Sequence, residues 1–161
     1  MGARHAVIAG RYLHNTTYTG SASGALHDGG AMSDYTLKRI DDMEAVFAGA
    51  FKRARAELGV ESFGIQVIDM PPHTDRYPEH DHTHDGQEEV FLPLRGSATV
   101  EIDGERHRID PDTMVRIGST VKRKLITDAE SLRVLIVGGR PGHVYEAPEV
   151  SELGAPDPLV R

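Results

Sequence analysis

The spacing of hydrophobic residues changes period at Gly59. Before it, over residues 41–58, Met43, Val46, Phe47, Ala50, Phe51, Ala54 and Leu58 recur at spacings of three and four. That pattern predicts one amphipathic helix with a single packing face. Asp41 or Asp42 is placed to cap its start, and Gly59 stands where a left-handed stop is expected. After Gly59 the period falls to two. Strands are predicted over 62–70, 88–95, 97–102, 105–109, 113–117, 121–126 and 132–137. Asp103-Gly104 between two alternating runs is a hairpin signal, and Pro111-Asp112 and Gly118-Ser119 mark further turns. Short strands at this spacing predict an antiparallel sandwich or barrel, with the preceding helix packed on it.

Two stretches lack either period. Residues 1–31 carry only Arg4, Arg11 and Asp28 as charges and are otherwise rich in Gly, Ala, Ser, Thr and His. Asp28-Gly29-Gly30 is what a purine-rich ribosome-binding sequence encodes, and Met32 follows shortly after. The expectation is a flexible leader over 1–31, with Met32 as the native start, and one domain over 32–161. The second stretch is the tail, 139–161. Pro141, Pro148, Pro156 and Pro158 predict an extended strap lying over the barrel.

Composition removes several function classes. The net charge is −7, and Lys122-Arg123-Lys124 is the one basic run, so a nucleic-acid backbone finds no basic face. Aromatic residues are 6% of the chain and Trp is absent, which removes stacking platforms for single strands. No stretch is apolar enough to predict a membrane span. Without cysteine there are no disulfides, thiolate metal sites or cysteine nucleophiles, which suits a cytoplasmic setting.

The chemical signal lies in the polar segment 71–87, where His80, His82 and His84 alternate. In an extended strand residues i, i+2 and i+4 share one face, so the three imidazoles are predicted to point the same way. Imidazole is the commonest protein ligand for borderline divalent metals. Asp85-Gly86-Gln87 is short and turn-like, so Glu88 or Glu89 on the next strand returns beside the histidines. The acids around the cluster (Asp75, Glu79, Asp81, Asp85 and Glu88) favour a cation and also raise histidine pKa values.

These residues resemble the cupin superfamily. Its first motif reads G-x5-H-x-H-x3–4-E-x6-G. Here His82-Thr83-His84 is followed after four residues by Glu89 and after six more by Gly96, with Arg76 in place of the opening glycine. The resemblance implies a cupin-type antiparallel β-barrel (a double-stranded β-helix or jelly roll) with one N-terminal helix packed on it. It also implies a metal site built from His82, His84 and Glu89, to which His80 is added. His80-x-His82 is the alternative ligand pair, with His82 common to both registers. The family's second motif, G-x5-P-x-G-x2-H-x3-N, is not kept: Gly118, Thr120, Arg123 and Thr127 fill its last four defined positions.

Arginine at the third-histidine position opens two readings. In one, Arg123 turns outward and the histidines and Glu89 hold one divalent ion (Fe, Mn, Ni or Zn). The chain is then a metal-dependent oxygenase or isomerase acting on a small molecule, with Tyr77 or Glu88 as a nearby acid or base. In the other no metal binds. Arg123 then points into a pocket with Tyr77 and Phe91, joined by Arg116, and the protein binds or senses a small anionic ligand without turnover. A vestigial site with a purely structural role is a third possibility. Ile65, Val67, Phe91 and Val115 are predicted to line an apolar cavity with a polar mouth. Family members commonly pair through their sheets, so the resemblance also implies a homodimer.

Overall fold

The computed structural model describes residues 34–160, so the leader expected over 1–31 lies outside the described residues. The strands form in chain order as β1 (Ala45–Val46), β2 (Phe51–Lys52), β3 (Gly64–Met70), β4 (Glu88–Arg95), β5 (Ala98–Ile102), β6 (Glu105–Ile109), β7 (Val115–Ile117), β8 (Arg123–Ile126) and β9 (Leu132–Gly139). Each run with period two became a strand: β3, β5, β7 and β8 start one or two residues late, β4 and β6 match, and β9 runs on to Gly139. The pairings are antiparallel throughout. They build a six-stranded sheet, β1-β2-β3-β9-β4-β7, and a three-stranded sheet, β6-β5-β8.

The core lies between the two sheets. Ile68, Met70, Phe91, Ile117, Leu132, Val134 and Ile136 come from the first and Ala98, Val100, Ile109 and Leu125 from the second. Apolar area removed from water on these inner faces is the main force holding the barrel closed. Asp103 and Gly104 both take positive φ, as the two-residue hairpin between β5 and β6 requires.

The predicted helix over 41–58 does not form as a unit. A 3-10 turn covers Ile40–Asp42, and α1 spans only Ala54–Leu58. Between them Phe47, Ala48 and Gly49 take positive φ and reverse the chain, so that β1 and β2 pair as a hairpin. The reason is tertiary. The free edge of β3 accepts β2, with Phe51 opposite Ile68 and Lys52 opposite Val67, and those ladder bonds outweigh local helix propensity. Gly59 is the left-handed stop that the sequence indicated, its N–H bonding back to Ala56 O. Asp41 caps nothing. It joins Asp69 on the Arg133 guanidinium at 2.6 Å.

The predicted apolar cavity is also corrected. Gln66 stands opposite Ile136, which stands opposite Phe91, so Gln66 shares the inner face. Ile65 and Val67 therefore point outward, while Val115, opposite Phe91, packs on the core. Phe91 is fully buried, so no water-sized space adjoins it. Side chains fill the barrel at that level.

The tail crosses back over the N-terminal hairpin. The buried Arg53 donates to Val150 O at 3.0 Å and Ala155 O at 2.6 Å and pairs with Glu44. Further along, Tyr145 fills the space that a Cβ on Gly64 would need, with its hydroxyl 2.7 Å from that position. Among the described residues no helix is long and apolar enough to cross a membrane.

Candidate metal centre

The segment 71–87 is fastened along β8. His73 N–H donates to Asp128 O at 2.6 Å and Thr127 N–H to Thr74 O at 2.9 Å. His80 and Arg123 exchange backbone bonds at 3.2 and 2.9 Å, and His82 N–H reaches Ser119 O at 2.7 Å. The buried Thr127 hydroxyl donates to Pro71 O at 2.6 Å and accepts from Thr74 N–H at 3.0 Å. Thr127, at the second motif's last position, thus anchors the segment that carries the histidines.

The extended stretch ends at His82. Gly86 N–H bonds back to His82 O at 2.7 Å, and Gly86 takes φ +73°. This turn carries His84 off the shared face. Its side chain is 76% exposed, with Nε2 3.3 Å from Asp85. His80 and His82 remain together with Glu89 of β4, and their ligating atoms lie within 4.8 Å of one another. Glu89 faces inward because it stands opposite Gly138 and the core residue Ile117. His82 is common to two such groups: His80, His82 and Glu89 form the more buried one, and His82, His84 and Asp85 form a second, more exposed one.

Both histidines have one ring nitrogen engaged. His80 Nδ1 lies 3.0 Å from Pro78 O, and His82 Nδ1 lies 3.0 and 3.1 Å from the two Asp85 oxygens. A backbone carbonyl only accepts, so His80 carries its proton on Nδ1 when neutral, and Asp85 favours the same tautomer in His82. That leaves Nε2 with a free lone pair in each. Asp85 is held by Gln87 through both its N–H and its side-chain amide. A carboxylate orienting an imidazole is the usual support behind a metal-ligating histidine. In the sequence Asp85 stands among the acids crowding the cluster and opens the short turn Asp85-Gly86-Gln87. Its signal was an acid before glycine in a turn that reaches back three residues.

His82 Nε2 lies 3.5 Å from Glu89 Oε2, and His80 Nε2 lies 4.0 Å from it. The Glu89 carboxylate and then Asp85 raise the His82 pKa above its ordinary value, against the opposing effect of burial. Tyr77 sits behind the cluster, its ring 5.5 Å from His80 and edge-on to Phe91 at 6.5 Å. Burial, then the Glu89 charge, pushes its phenol pKa far up, so Tyr77 is a neutral group here.

Arg123 points inward and is fully buried. Its Nη1 donates to Val121 O at 3.0 Å and His80 O at 3.4 Å. Its Nε lies 3.1 Å from Glu89 Oε2, but the N–H is not aimed at that oxygen. Four buried atoms here have no hydrogen-bond partner: His82 Nε2, Glu89 Oε2, Arg123 Nε and Arg123 Nη2. Unpaired buried polar atoms are costly, so their convergence on one spot is a mark of a binding site. Glu88 and Arg116, candidates for the pocket in the sequence, are on the other face. They alternate with the inward Glu89 and Ile117 and pair with each other, Arg116 Nε at 2.7 Å from Glu88.

The donor set fits a divalent metal ion. Two imidazole lone pairs and a carboxylate suit iron, manganese, nickel or zinc, with coordination positions left for ligand or water. Comparison with known proteins agrees with the fold. The Cupin domain family matches residues 66–138. A cupin protein from Bacteroides fragilis superposes with a TM-score of 0.57 at 18% identity, covering 73% of this chain and 93% of its own. A protein from Photorhabdus luminescens gives 0.53 at 16% identity, covering 68% and 90%. No curated protein matches in sequence. With the family match spanning β3 to β9 and the two-sheet barrel that the solved structures share, residues 66–138 of the chain form a cupin domain.

Proposed function

We propose that this cupin binds one divalent transition-metal ion through His80 Nε2, His82 Nε2 and Glu89, and acts there on a small molecule as an oxygenase or isomerase. The observation that carries the reading is the pair of buried, unpartnered atoms, His82 Nε2 and Glu89 Oε2, with the other ring nitrogen of His82 already engaged by Asp85. When bound, the ion supplies a Lewis acid that polarises an oxygen of the ligand. Asp85 and Pro78 O hold the two imidazoles in the ligating tautomer. Tyr77, its ring 5.5 Å from that of His80, stays a neutral phenol beside the site.

The test is metal content by mass spectrometry on protein purified without a histidine tag. About one equivalent is expected. His82→Ala or His80→Ala should remove it, whereas His84→Ala should leave it within about twofold, since an exposed side chain off the cluster contributes little. Loss on His84→Ala and retention on His80→Ala would overturn this ligand set.

The pH dependence has a definite sign. A proton competes with the metal for His82, and Glu89 and Asp85 raise the pKa of that imidazole above its ordinary 6.5. Affinity should hold at high pH and weaken as pH falls through the raised value, by about tenfold per unit below it. Isothermal titration across pH 5.5–8.5, taken as roughly the span in which imidazoles titrate, reads this directly. A flat profile contradicts it.

A second reading is a metal-free ligand-binding or sensing cupin. It is favoured by Arg123 Nε at 3.1 Å from Glu89, where an internal cation already meets the carboxylate. Metal content near zero after reconstitution with each metal selects it.

A further inference from the structure

Gly64 stands opposite Gly138, and Gly138 stands opposite Glu89. Residues paired across a sheet share a face, so this whole rung turns inward with Glu89. Two of its three positions carry no side chain. Glu89 therefore lies at one end of a trough floored by backbone, where β3 and β4 begin and β9 ends.

Two side chains from outside that rung fill the trough. Over Gly138 lies Gln87, its Oε1 3.1 Å from where a Cβ would stand, while its amide nitrogen donates to Asp85. Over Gly64 lies the ring of Tyr145, with Oη, Cζ and Cε2 at 2.7, 2.9 and 3.0 Å from the corresponding point. Burial raises the phenol pKa first, and the charges of Glu89 and Asp85 add to it against Arg55, which places the ring within reach of the cluster's field. Tyr145 comes from the tail, and the tail is held on either side of it. Before it, the Arg140 stem packs on the turn glycine Gly86, with Nε 3.3 Å from a Cβ position there. After it, Arg53 holds Val150 O and Ala155 O, and Arg55 pairs with Glu152. Among the described residues, 144–147 make no backbone–backbone hydrogen bond between these anchors.

We propose that the tail gates this centre: the Tyr145 ring fills the trough over Gly64 and bars small molecules from the Glu89 side until the 144–147 span lifts between its anchors. The proposal rests on the reading of His80, His82 and Glu89 as the centre that a small molecule reaches. A backbone floor is what lets the ring seat so closely. A side chain at position 64 would expel it. Gating of this kind controls access and leaves the centre's own groups unchanged.

The test is the rate at which diethyl pyrocarbonate modifies His82 in full-length, metal-free, untagged protein, read by peptide mass mapping against the exposed His107. Tyr145→Ala should raise the His82 rate by about fivefold or more relative to His107, as removal of a closed majority state does. Tyr145→Phe keeps the ring and should match wild type. Gly64→Ala opens the gate from the other side. Its Cβ meets only the far end of the tyrosine, at an ordinary strand φ, so the ring yields and the barrel stays folded, as circular dichroism will show. It should raise the rate like Tyr145→Ala, and the double variant should add nothing, since both remove one contact. The same variants loaded with Zn2+ should release it faster to a chelator while holding the same amount. Unchanged His82 rates in both single variants overturn the gate, as does a Tyr145→Phe that behaves like Tyr145→Ala, or single effects that multiply in the double variant. Protein that takes up no Zn2+ overturns the metal reading instead, and the His82 rates still decide the gate.

Discussion

Gly96→Ala should destabilise the domain by about 3 kcal/mol or more, lowering its melting temperature by about 10 °C. Two penalties add at this position. Gly96 takes φ +73°, which an L side chain rarely adopts. A Cβ there would also lie 1.8 Å from the backbone oxygen of Ser131. A backbone atom cannot rotate aside as a side chain can, so β4 and the start of β9 must separate. Gly104→Ala isolates the first penalty. It has φ +87° but nothing within 4 Å of a built Cβ, and should cost only about 1 kcal/mol. Thermal denaturation of both variants decides the matter. Equal losses would mean that the close approach to Ser131 contributes nothing.

That glycine shows why parts of the fold were legible in the sequence. It is the last position of the motif that suggested the barrel, and its reason is steric. The barrel strands were readable because alternation must match the buried face at nearly every residue. β3 is the instructive exception. Ile65, Val67 and Ile68 put apolar groups on both faces, because α1 also packs against this strand. The inward set in that strand was therefore read one residue out of step. The helix over 41–58 misled for a related reason. Its three-four spacing is genuine, and Met43, Val46 and Ala54 are all buried, but a hairpin followed by a short helix buries them equally well.

The site was legible in residue type more than in geometry. His82 and Glu89 were fixed by their spacing to Gly96. His84 seemed equivalent to His80 because a strand was assumed through 80–84, and the turn closed by Gly86 begins two residues before that assumption ends. Arg123 was visible as a departure from the family pattern, but its direction was not. The side chain goes inward because its backbone pairs with His80 and because Val121 O and His80 O receive its outer nitrogen.

Arg123→His should tighten divalent metal binding by at least about tenfold, equivalent to about 1.4 kcal/mol. The arginine opposes a bound dication by charge alone. Two unit charges about 4 Å apart repel by about 4 kcal/mol at an effective dielectric constant near 20, and a dication doubles that. Much of this is offset when Glu89 loses its cation and when Val121 O loses a donor, so tenfold is a floor rather than the full Coulomb figure. The substitution also adds a ligand. The Nε2 of histidine reaches about as far from the backbone as the Nε of arginine, and Arg123 Nε lies 3.1 Å from Glu89 Oε2, within ligand-to-ligand range. The variant should therefore hold metal through four side chains. Titration of wild type and variant side by side reads the effect. Unchanged or weaker metal binding in a folded variant would mean that Arg123 does not stand at the metal position, and the ligand set of His80, His82 and Glu89 would need another partner.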